Sequence, residues 1–257
     1  MGKFQKLNYS EIAKTYDSAR RIPRENLQKW LGIISDKIGR KEKLDFLDLG
    51  CGTGRFSIPV ATTLHHAVTA ADISEAMISI AKQKPGAEAV KWDIQAATSL
   101  TYPDETFDVV FTSHLLHHLP VPADVIAECY RVLRRGGVYL NRYGAMEHIE
   151  KDPEHVFFPG LLEIDRPRTP TIGQVETWLK VAGFTDIESM TLLQRTHVSP
   201  KERLERVMLK KSSALALLDE HSLGDGIEAM KQRMCNTPRD PWFLFDEITL
   251  TYARKDH

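Results

Sequence analysis

The chain has 257 residues, of which 42% are hydrophobic and 27% are charged, as is ordinary for a globular protein with one large core or a core and a smaller cap. Its 34 basic and 35 acidic residues balance to a net charge of −1, which gives no reason to expect nucleic acid as a partner. Three scattered cysteines form no metal or disulfide pattern, and no apolar run suits a membrane span or a signal peptide. We therefore expect a cytoplasmic protein without a membrane span or a metal site.

The first 43 residues have a mixed, largely helical pattern, which we interpret as an N-terminal helical cap. Ser10 is suited to begin a helix as its N-cap. Between Asn26 and Ile38, apolar residues recur at i, i+3 and i+4, which predicts a helix with one buried face. A helix that simply covers the sheet would show the same pattern.

A predicted buried strand at residues 44–49 runs into a glycine-rich turn. Gly50, Gly52 and Gly54 stand at alternate positions, and glycine permits positive φ and a close approach of the backbone to a ligand. A helix predicted from Arg55 to about residue 64 would direct its free N–H groups toward this turn. Strand, turn and helix together predict a ligand site.

The spacing of the glycines separates several kinds of site. A dinucleotide fingerprint needs its third glycine at the position of Arg55, and the Gly-Lys-Ser/Thr of a P-loop is absent. Asp48, just before the first glycine, would repel a pyrophosphate but would suit a cationic amino group. A glycine turn in an unrelated α/β protein is the remaining alternative.

Two further strands are predicted to end in acids. The strand from Ala67 ends at Asp72, about 20 residues after the turn, where doubly wound folds present a carboxylate to ribose hydroxyls. Asp72 could instead cap the next helix, a role for which Ser74 is also suited. A weaker strand ends at Asp93, for which a solvated loop acid is the alternative.

Three histidines follow the predicted strand at residues 107–113. A metal site is disfavoured because no third ligand is near and the acid of an H-E-x-x-H motif is missing. If His114 and His118 lie on one helical turn, they share a face and His117 points elsewhere. Either could act as a general base, since the ordinary pKa of histidine is near 6.5, or could only hydrogen-bond at the rim of a pocket.

The second half of the chain continues the alternation and then departs from it. A helix is predicted to end at residue 133, with Arg134 and Arg135 beside its C-terminal dipole and two glycines after them. Residues 144–170 are interrupted by prolines, which indicates an excursion over a pocket. The remaining pattern predicts a helix at 171–182, a strand at 184–192, a mostly helical stretch at 200–234 and a closing strand at 243–252.

The motif Asp48-x-Gly50-x-Gly52-x-Gly54 resembles the first motif of class I S-adenosylmethionine (SAM)-dependent methyltransferases of the small-molecule type. Leu116–Leu119 and Arg131–Gly137 are similar to later motifs of that family. The resemblance implies a doubly wound, Rossmann-like α/β fold whose mostly parallel seven-stranded sheet has an antiparallel last strand. It also implies a SAM-binding domain over residues 44–257, with helical lid insertions at about 144–170 and 200–235.

The resemblance also assigns residues to the site. Tyr16 would help to close over SAM, Asp93 would reach the amino group of adenine, and Ile94 would pack on its ring. The residues that it assigns to SAM binding are Tyr16, Asp48, Gly50, Cys51, Gly52, Gly54, Asp72, Ile73, Met77, Asp93, Ile94 and Ser113. His114 and His118 are the candidate catalytic residues, and no metal is expected.

The implied activity is transfer of a methyl group from SAM to a nucleophilic O, N or C of a small organic acceptor. Aromatic and aliphatic side chains of the insertions predict a partly apolar acceptor: Phe157, Phe158, Leu161, Met208, Leu215 and Trp242. Two alternatives remain open at this stage. One is an enzyme of the same fold with chemistry other than methyl transfer, and the other is a protein that binds SAM without turnover.

Overall fold

The computed structural model of the chain describes residues 17, 20–39 and 42–256. The α-helices that lie wholly within these ranges are α1 (Arg24–Ile38), α2 (Ser57–Thr63), α3 (Glu75–Ala81), α4 (Pro122–Val132), α5 (Met146–Ile149), α6 (Glu154–Phe157), α7 (Leu161–Asp165), α8 (Ile172–Ala182), α9 (Pro200–Met208) and α10 (Glu220–Asn236). The strands are β1 (Asp45–Leu49), β2 (Ala67–Asp72), β3 (Val90–Ile94), β4 (Phe107–Ser113), β5 (Leu133–Tyr143), β6 (Thr185–Arg195) and β7 (Phe245–Arg254). No helix in these ranges is both long enough and apolar enough to cross a lipid bilayer.

The strands form one seven-stranded sheet in the order β3-β2-β1-β4-β5-β7-β6. β1 to β5 pair in parallel, whereas β7 runs antiparallel to both β5 and β6. This confirms the predicted mostly parallel sheet with an antiparallel last strand. The strand order reverses between β1 and β4, and in doubly wound folds ligands bind outside the carboxyl ends of the strands at such a switch point.

Helices cover both faces of the sheet. On one face, α4 and α8 pack against the sheet through residues such as Ile126 and Leu179, which are fully buried. On the other face, α1 contributes Trp30 and Ile34 to a core shared with β1 and α2. The predicted apolar face of α1 is therefore buried directly against the sheet.

The two insertions, at about residues 144–170 and 200–235, share a third core, to which Phe243 just before β7 also contributes. Phe158 and Leu161 of the first insertion pack with Leu215 and other apolar residues of the second. The ring of Phe158 rests directly on Gly226 of α10, where an added Cβ would lie 2.1 Å from the ring. Phe157 and Trp242 pack against the same core, and Met208 is exposed. Most of the apolar side chains predicted for the acceptor pocket thus hold the insertions together.

Arg134 and Arg135, which were predicted to lie beside the C-terminal dipole of α4, belong to the next strand. The helix stops at Val132 and the next residue already begins β5. The pairing of β5 with β4 is then interrupted, so that residues 134–137 bulge out of the ladder. Arg134 turns away from the helix end and pairs with Asp108 at 2.9 Å, a long-range contact that a local pattern does not contain.

Candidate active site

The glycine turn lies between β1 and α2 at the switch point of the sheet. Gly50, Gly52 and Gly54 have φ values of +72°, +55° and +74°, a region that favours glycine. The N–H groups of Gly50 and Cys51 both donate to the carbonyl of Ala71, at 2.8 and 3.1 Å. The turn is therefore held against the end of β2 in a conformation that its glycines permit.

Protein atoms already fill the space beside two of these glycines. A Cβ on Gly54 would lie 2.5 Å from the ring of Trp92, and one on Gly50 would lie 2.7 Å from the Leu115 side chain. The indole of Trp92 is fixed from the other side, because its Nε1–H donates to the carbonyl of Ala87 at 2.9 Å. Packing within the protein is thus one reason for glycine at these positions.

Asp72 links the end of β2 to the turn. Its Oδ2 accepts from the N–H of Gly52 and its Oδ1 from the N–H of Ser74, both at 2.8 Å. Burial raises the pKa of Asp72 above its ordinary value, although these N–H groups oppose the shift. Ser74 caps α3 by accepting from the N–H of Met77 at 3.4 Å. Because Ser74 is the cap, the carboxylate of Asp72 faces the turn, and each of its oxygens keeps a lone pair for a ligand.

Asp48 lies behind the turn and is only 2% exposed. Its Oδ2 accepts a hydrogen bond from the Ser57 hydroxyl at 2.5 Å. Burial, with a smaller contribution from the charge of Asp72, raises the pKa of Asp48 to about 7, while the Ser57 hydrogen bond opposes the shift. Cys51 is half-buried, and burial raises the pKa of its thiol well above the ordinary value. Both groups support the turn from the protein side.

The ends of β2 and β3 offer an apolar surface beside two acids. Ile73 is 61% exposed and Ile94 is 55% exposed, although both are large aliphatic residues. Asp93, next to Ile94, accepts from the hydroxyl of Tyr102 at 2.8 Å. Tyr102 was not singled out from the sequence, because its partner is reached only through tertiary structure. Met77 is buried beneath this edge.

The histidines after β4 are arranged differently from the prediction. His114 has a φ of +55° and precedes a short 3₁₀ helix at Leu116–His118, so His114 and His118 do not lie on one helical turn. His114 and His117 line a cavity that opens beyond the ends of β4 and β5. The expectation that His117 points away from His114 is therefore wrong. The His118 ring packs against the His117 ring, with centroids 3.9 Å apart.

The pKa values of these imidazoles are all lowered. Burial places the pKa values of His114 and His117 well below 6.5, and nearby charges, including those of Arg142 and Arg168 respectively, add to the effect. Burial likewise lowers the pKa of His118 to about 3. All three rings are therefore neutral at neutral pH and are weak proton acceptors.

Arg142 extends from β5 toward the same region. Its Nη1 donates to the hydroxyl of Ser113 at 3.2 Å, and its guanidinium lies 4.8 Å from the ring centroid of Trp30 and 5.4 Å from that of Phe56. Ser113 and Arg142 meet because they are directly paired in the β4–β5 register. The sequence alone does not give that register, so Arg142 was missed.

A cavity of about 290 Å³ opens beyond these strand ends and is bounded by both insertions. Most of the described residues that line it are charged or polar. Of the six apolar residues predicted to contact the acceptor, only Leu161 is among these lining residues. The polar side chains of the lining include His114, Arg142, His155, Asp165, Arg168 and Lys211.

The stretch before α1 connects the glycine turn to the second insertion. The Thr53 hydroxyl donates to Asp17 at 2.5 Å, and Lys84 forms an ion pair with the same carboxylate at 2.5 Å. Arg20, three residues after Asp17, donates through Nε to the carbonyl of Lys211 in the second insertion, at 2.7 Å. The predicted N-cap Ser10 and the predicted pocket residue Tyr16 lie outside the described residues.

A metal centre has no support in the part of the chain that the structure describes, where no group of three or more His, Cys, Asp or Glu side chains is placed to hold an ion.

Comparison with known proteins agrees with the geometry. A family model described as a methyltransferase domain matches residues 47–141. The chain is 30% identical over 135 residues to a ubiquinone/menaquinone biosynthesis C-methyltransferase of Desulfotalea psychrophila, a match that covers 50% of this chain and 53% of that relative. The chain thus spans about half the length of that relative.

Two solved structures share the fold. One is a methyltransferase assigned to an antibiotic biosynthesis pathway of Anabaena variabilis, with a TM-score of 0.76, 20% identity and coverage of 91% of this chain and 98% of that chain. The other is phosphoethanolamine N-methyltransferase 2 of Haemonchus contortus in complex with phosphomonomethylethanolamine and S-adenosylhomocysteine, with a TM-score of 0.65, 19% identity and coverage of 96% and 58%. With the sheet order and the glycine turn, the matched stretch at residues 47–141 is a methyltransferase domain of the class I SAM-dependent type.

Proposed function

We propose that this chain transfers a methyl group from SAM to a nucleophilic oxygen, nitrogen or carbon of a small organic acceptor. The observation that carries the proposal is the glycine turn, which Asp72 holds at the switch point of the sheet. The cavity is lined by Arg55, which directly follows this turn in the chain, and also by His114 and Arg142. A donor site and an acceptor site would thus adjoin at the ends of β1, β4 and β5.

The residues at the ends of β2 and β3 suit the nucleoside part of SAM. We infer that Asp72 accepts from the ribose hydroxyls, since both of its oxygens are already oriented by backbone N–H groups. Ile73 and Ile94 offer exposed apolar surface to the adenine ring, and Asp93 offers an acceptor to its amino group. Met77 would support this surface from beneath.

The turn itself suits the amino-acid part of SAM. The backbone of Gly50, Cys51, Gly52 and Gly54 would pack under it, in the conformation that their φ values set. The carboxyl of Asp48 lies behind the turn, where its ionised form, which prevails above about pH 7 in the free protein, would favour the ammonium group of the ligand. Ser113 at the end of β4 and Tyr16, which lies outside the described residues, complete the proposed set of SAM-binding residues.

SAM supplies a methyl group that its sulfonium charge has already activated, so the main task of the protein is to align the acceptor. We propose that His114 and His118 border the transfer centre. The lowered pKa values of both rings favour neutral hydrogen-bonding groups over strong general bases. His118 would act through His117, on which its ring packs.

The insertions at about 144–170 and 200–235 are proposed to form one lid over the acceptor. Residues of both line the cavity, and a lid that closes over an active site excludes water and completes the site.

The test is mass spectrometry of purified protein incubated with a metabolite extract and with SAM that is deuterated on its methyl group. A metabolite that gains the labelled methyl group supports the proposal, and Asp72→Ala is the control that should not produce it. Consumption of SAM without a labelled metabolite would favour other chemistry on the same fold. Tight SAM binding without any product would favour a binding protein.

A further inference from the structure

The cavity beneath the insertions has an excess of positive charge. Among the described residues that line it, seven are arginine or lysine and five are aspartate or glutamate. Each of these five carboxylates already lies within ion-pair distance of a basic side chain: Asp152, Glu154 and Asp246 of Arg203, Asp165 of Arg168, and Glu247 of His148. The acids of the cavity are thus compensated within the protein, and a cationic ligand would find no unpaired carboxylate there.

Arg168 and His155 stand out because their side chains are buried and incompletely bonded. Both are held by Asp165, whose Oδ1 accepts from Arg168 Nη2 at 2.8 Å and whose Oδ2 lies 3.6 Å from His155 Nε2. The side chain of Arg168 is 10% exposed and that of His155 is 9% exposed. The Nε of Arg168 and both ring nitrogens of His155 are buried without a hydrogen-bond partner, and both residues line the cavity.

Unbonded donors of this kind are costly unless a ligand completes them. A buried N–H group without a partner loses its hydrogen bond to water without replacement, and the loss is greater for a charged group. Hydrogen bonds from a guanidinium to an anionic oxygen are the strong ones, and they suit carboxylate and phosphate groups. Burial alone would lower the pKa of His155, but the nearby carboxylate of Asp165 outweighs it and raises the pKa. A cationic imidazole would add a second donor for an anion.

The position of the pair relates it to the transfer centre. After burial and the neighbouring histidines, the charge of Arg168 is among the causes that lower the pKa of His117, and it also contributes at His118. Arg168 also lines the same cavity as His114 and His117 of the segment that follows β4, where the proposed methyl transfer takes place.

We propose that Arg168 and His155 form a subsite that binds an anionic group of the acceptor, a carboxylate or a phosphate monoester. This inference rests on the proposed function, because it assigns one part of the acceptor to one end of the cavity. The acceptor class is then a small organic anion whose nucleophile lies at a distance from its charged group.

The test measures the binding of inorganic phosphate and of succinate to the protein saturated with S-adenosylhomocysteine, by isothermal titration calorimetry. We expect at least one anion to bind to the wild type, and the preferred anion distinguishes a phosphate monoester from a carboxylate. Arg168→Gln should weaken this binding at least about tenfold, a difference that corresponds to about 1.4 kcal/mol. Arg166→Gln is the matched control, because Arg166 is exposed two residues away and outside the cavity lining, and its affinity should equal that of the wild type.

A second variant guards against misfolding. Arg168→Lys keeps a cation beside Asp165 but removes the Nε donor, so it should fold like the wild type and still bind the anion more weakly. If Arg168→Lys and a folded Arg168→Gln both bind the anion with the affinity of the wild type, the subsite is overturned. A failure of both anions to bind the saturated wild type would also overturn it. An anion that binds only in the absence of S-adenosylhomocysteine would lie in the SAM site and would likewise overturn the subsite.

The affinity for SAM, measured separately, distinguishes this inference from the function on which it rests. A protein that binds SAM but neither anion overturns the subsite and leaves the proposed function standing. A protein that binds an anion but not SAM overturns both the proposed function and the assignment of this anion to an acceptor.

Discussion

Asp72 Oδ2 accepts a hydrogen bond from the N–H of Gly52 at 2.8 Å, so one carboxylate fixes the end of β2 to the middle of the glycine turn. Since the same carboxylate is the proposed ribose acceptor, Asp72→Ala should weaken SAM binding by about 2–4 kcal/mol, or about 30- to 1,000-fold. Calorimetric titration with SAM measures this, and Asp36→Ala, at an exposed position on α1, is the control. An Asp72→Ala protein that is folded by circular dichroism and binds SAM normally would exclude this role.

The glycines offer a matched pair of substitutions. Gly54→Ala would place a Cβ 2.5 Å from the Trp92 ring at a φ of +74°, so its free energy of unfolding should fall by about 2–4 kcal/mol and SAM binding should weaken. Gly32→Ala in α1 meets no atom within 4 Å and should raise the free energy of unfolding by about 0.5–1 kcal/mol. Urea unfolding of both variants checks this, and equal stabilities would contradict the packing described at Gly54.

The raised pKa of Asp48 predicts a pH dependence of stability. The folded state holds the Asp48 proton up to about pH 7, whereas the unfolded chain releases it near the ordinary value of 3.8. Between these values the unfolded state binds fewer protons, so the contribution of Asp48 to stability falls as the pH rises and is constant above the folded pKa. A shift of about 3 units corresponds to about 4 kcal/mol.

Asp48→Asn isolates this contribution, because the amide oxygen can still accept from Ser57. Relative to the wild type, the variant should gain stability progressively from pH 4.5 to pH 8, by about 2–4 kcal/mol in total. Denaturant unfolding of both proteins at several pH values measures the difference. Stability curves that run parallel over this range would show that Asp48 is ionised in the folded state.

Substitution of Arg203 tests whether the ordered insertions are needed for turnover. The fully buried guanidinium of Arg203 pairs with Asp152 at 3.4 Å, Glu154 at 3.1 Å and Asp246 at 3.0 Å, so it joins both insertions to β7. Arg203→Met leaves these carboxylates without their shared cation, which should cost about 3–5 kcal/mol. Hydrogen exchange should rise across residues 144–170 and 200–236, and turnover should fall while SAM affinity changes little.

Lys201→Met is the control for Arg203, because Lys201 is an exposed residue on the same helix with only a 3.9 Å ion pair to Glu205. It should match the wild type in exchange and turnover. Full turnover in Arg203→Met would mean that the ordered insertions are not needed for catalysis.

The lowered pKa values of the three histidines after β4 lead to a prediction about how the methyl-transfer rate depends on pH. Since burial lowers their pKa values, the wild-type rate should show no acidic limb near pH 6.5 that belongs to His114, His117 or His118. His114→Gln and His117→Gln, which preserve hydrogen bonding, should lower the rate without changing the shape of the profile. The measurement is a pH–rate profile once an acceptor is known, and loss of a limb near pH 6.5 in either variant would identify a general base after all.

Local patterns were sufficient to predict the sheet and the glycine turn beside it. The strand before Gly50, the acid at the end of β2 and the cap at Ser74 each depend on neighbours a few residues away, and each is found as expected. The antiparallel last strand was implied by the resemblance to a family, and the sheet confirms it.

The acceptor side could not be predicted in the same way, because its contacts join distant segments. Arg142 meets Ser113 only through the register of β4 and β5, and His155 and Arg168 come together on Asp165 within an insertion that lacks a regular period. The orientation of His117 depends on a left-handed residue at His114, which a helical projection does not anticipate. Charge in the cavity is thus a property of tertiary structure.

The contact between Phe158 and Gly226 has a consequence for protein engineering. Since the ring from one insertion occupies the space of a side chain on the other, neither insertion can be replaced from a relative without its counterpart. A chimera that receives only residues 144–170 would bring an aromatic ring against a foreign helix, and the reverse exchange would leave Phe158 without its glycine. Acceptor preference should therefore be transferable only when both insertions are exchanged together. The five parallel strands would stay unchanged in such a chimera.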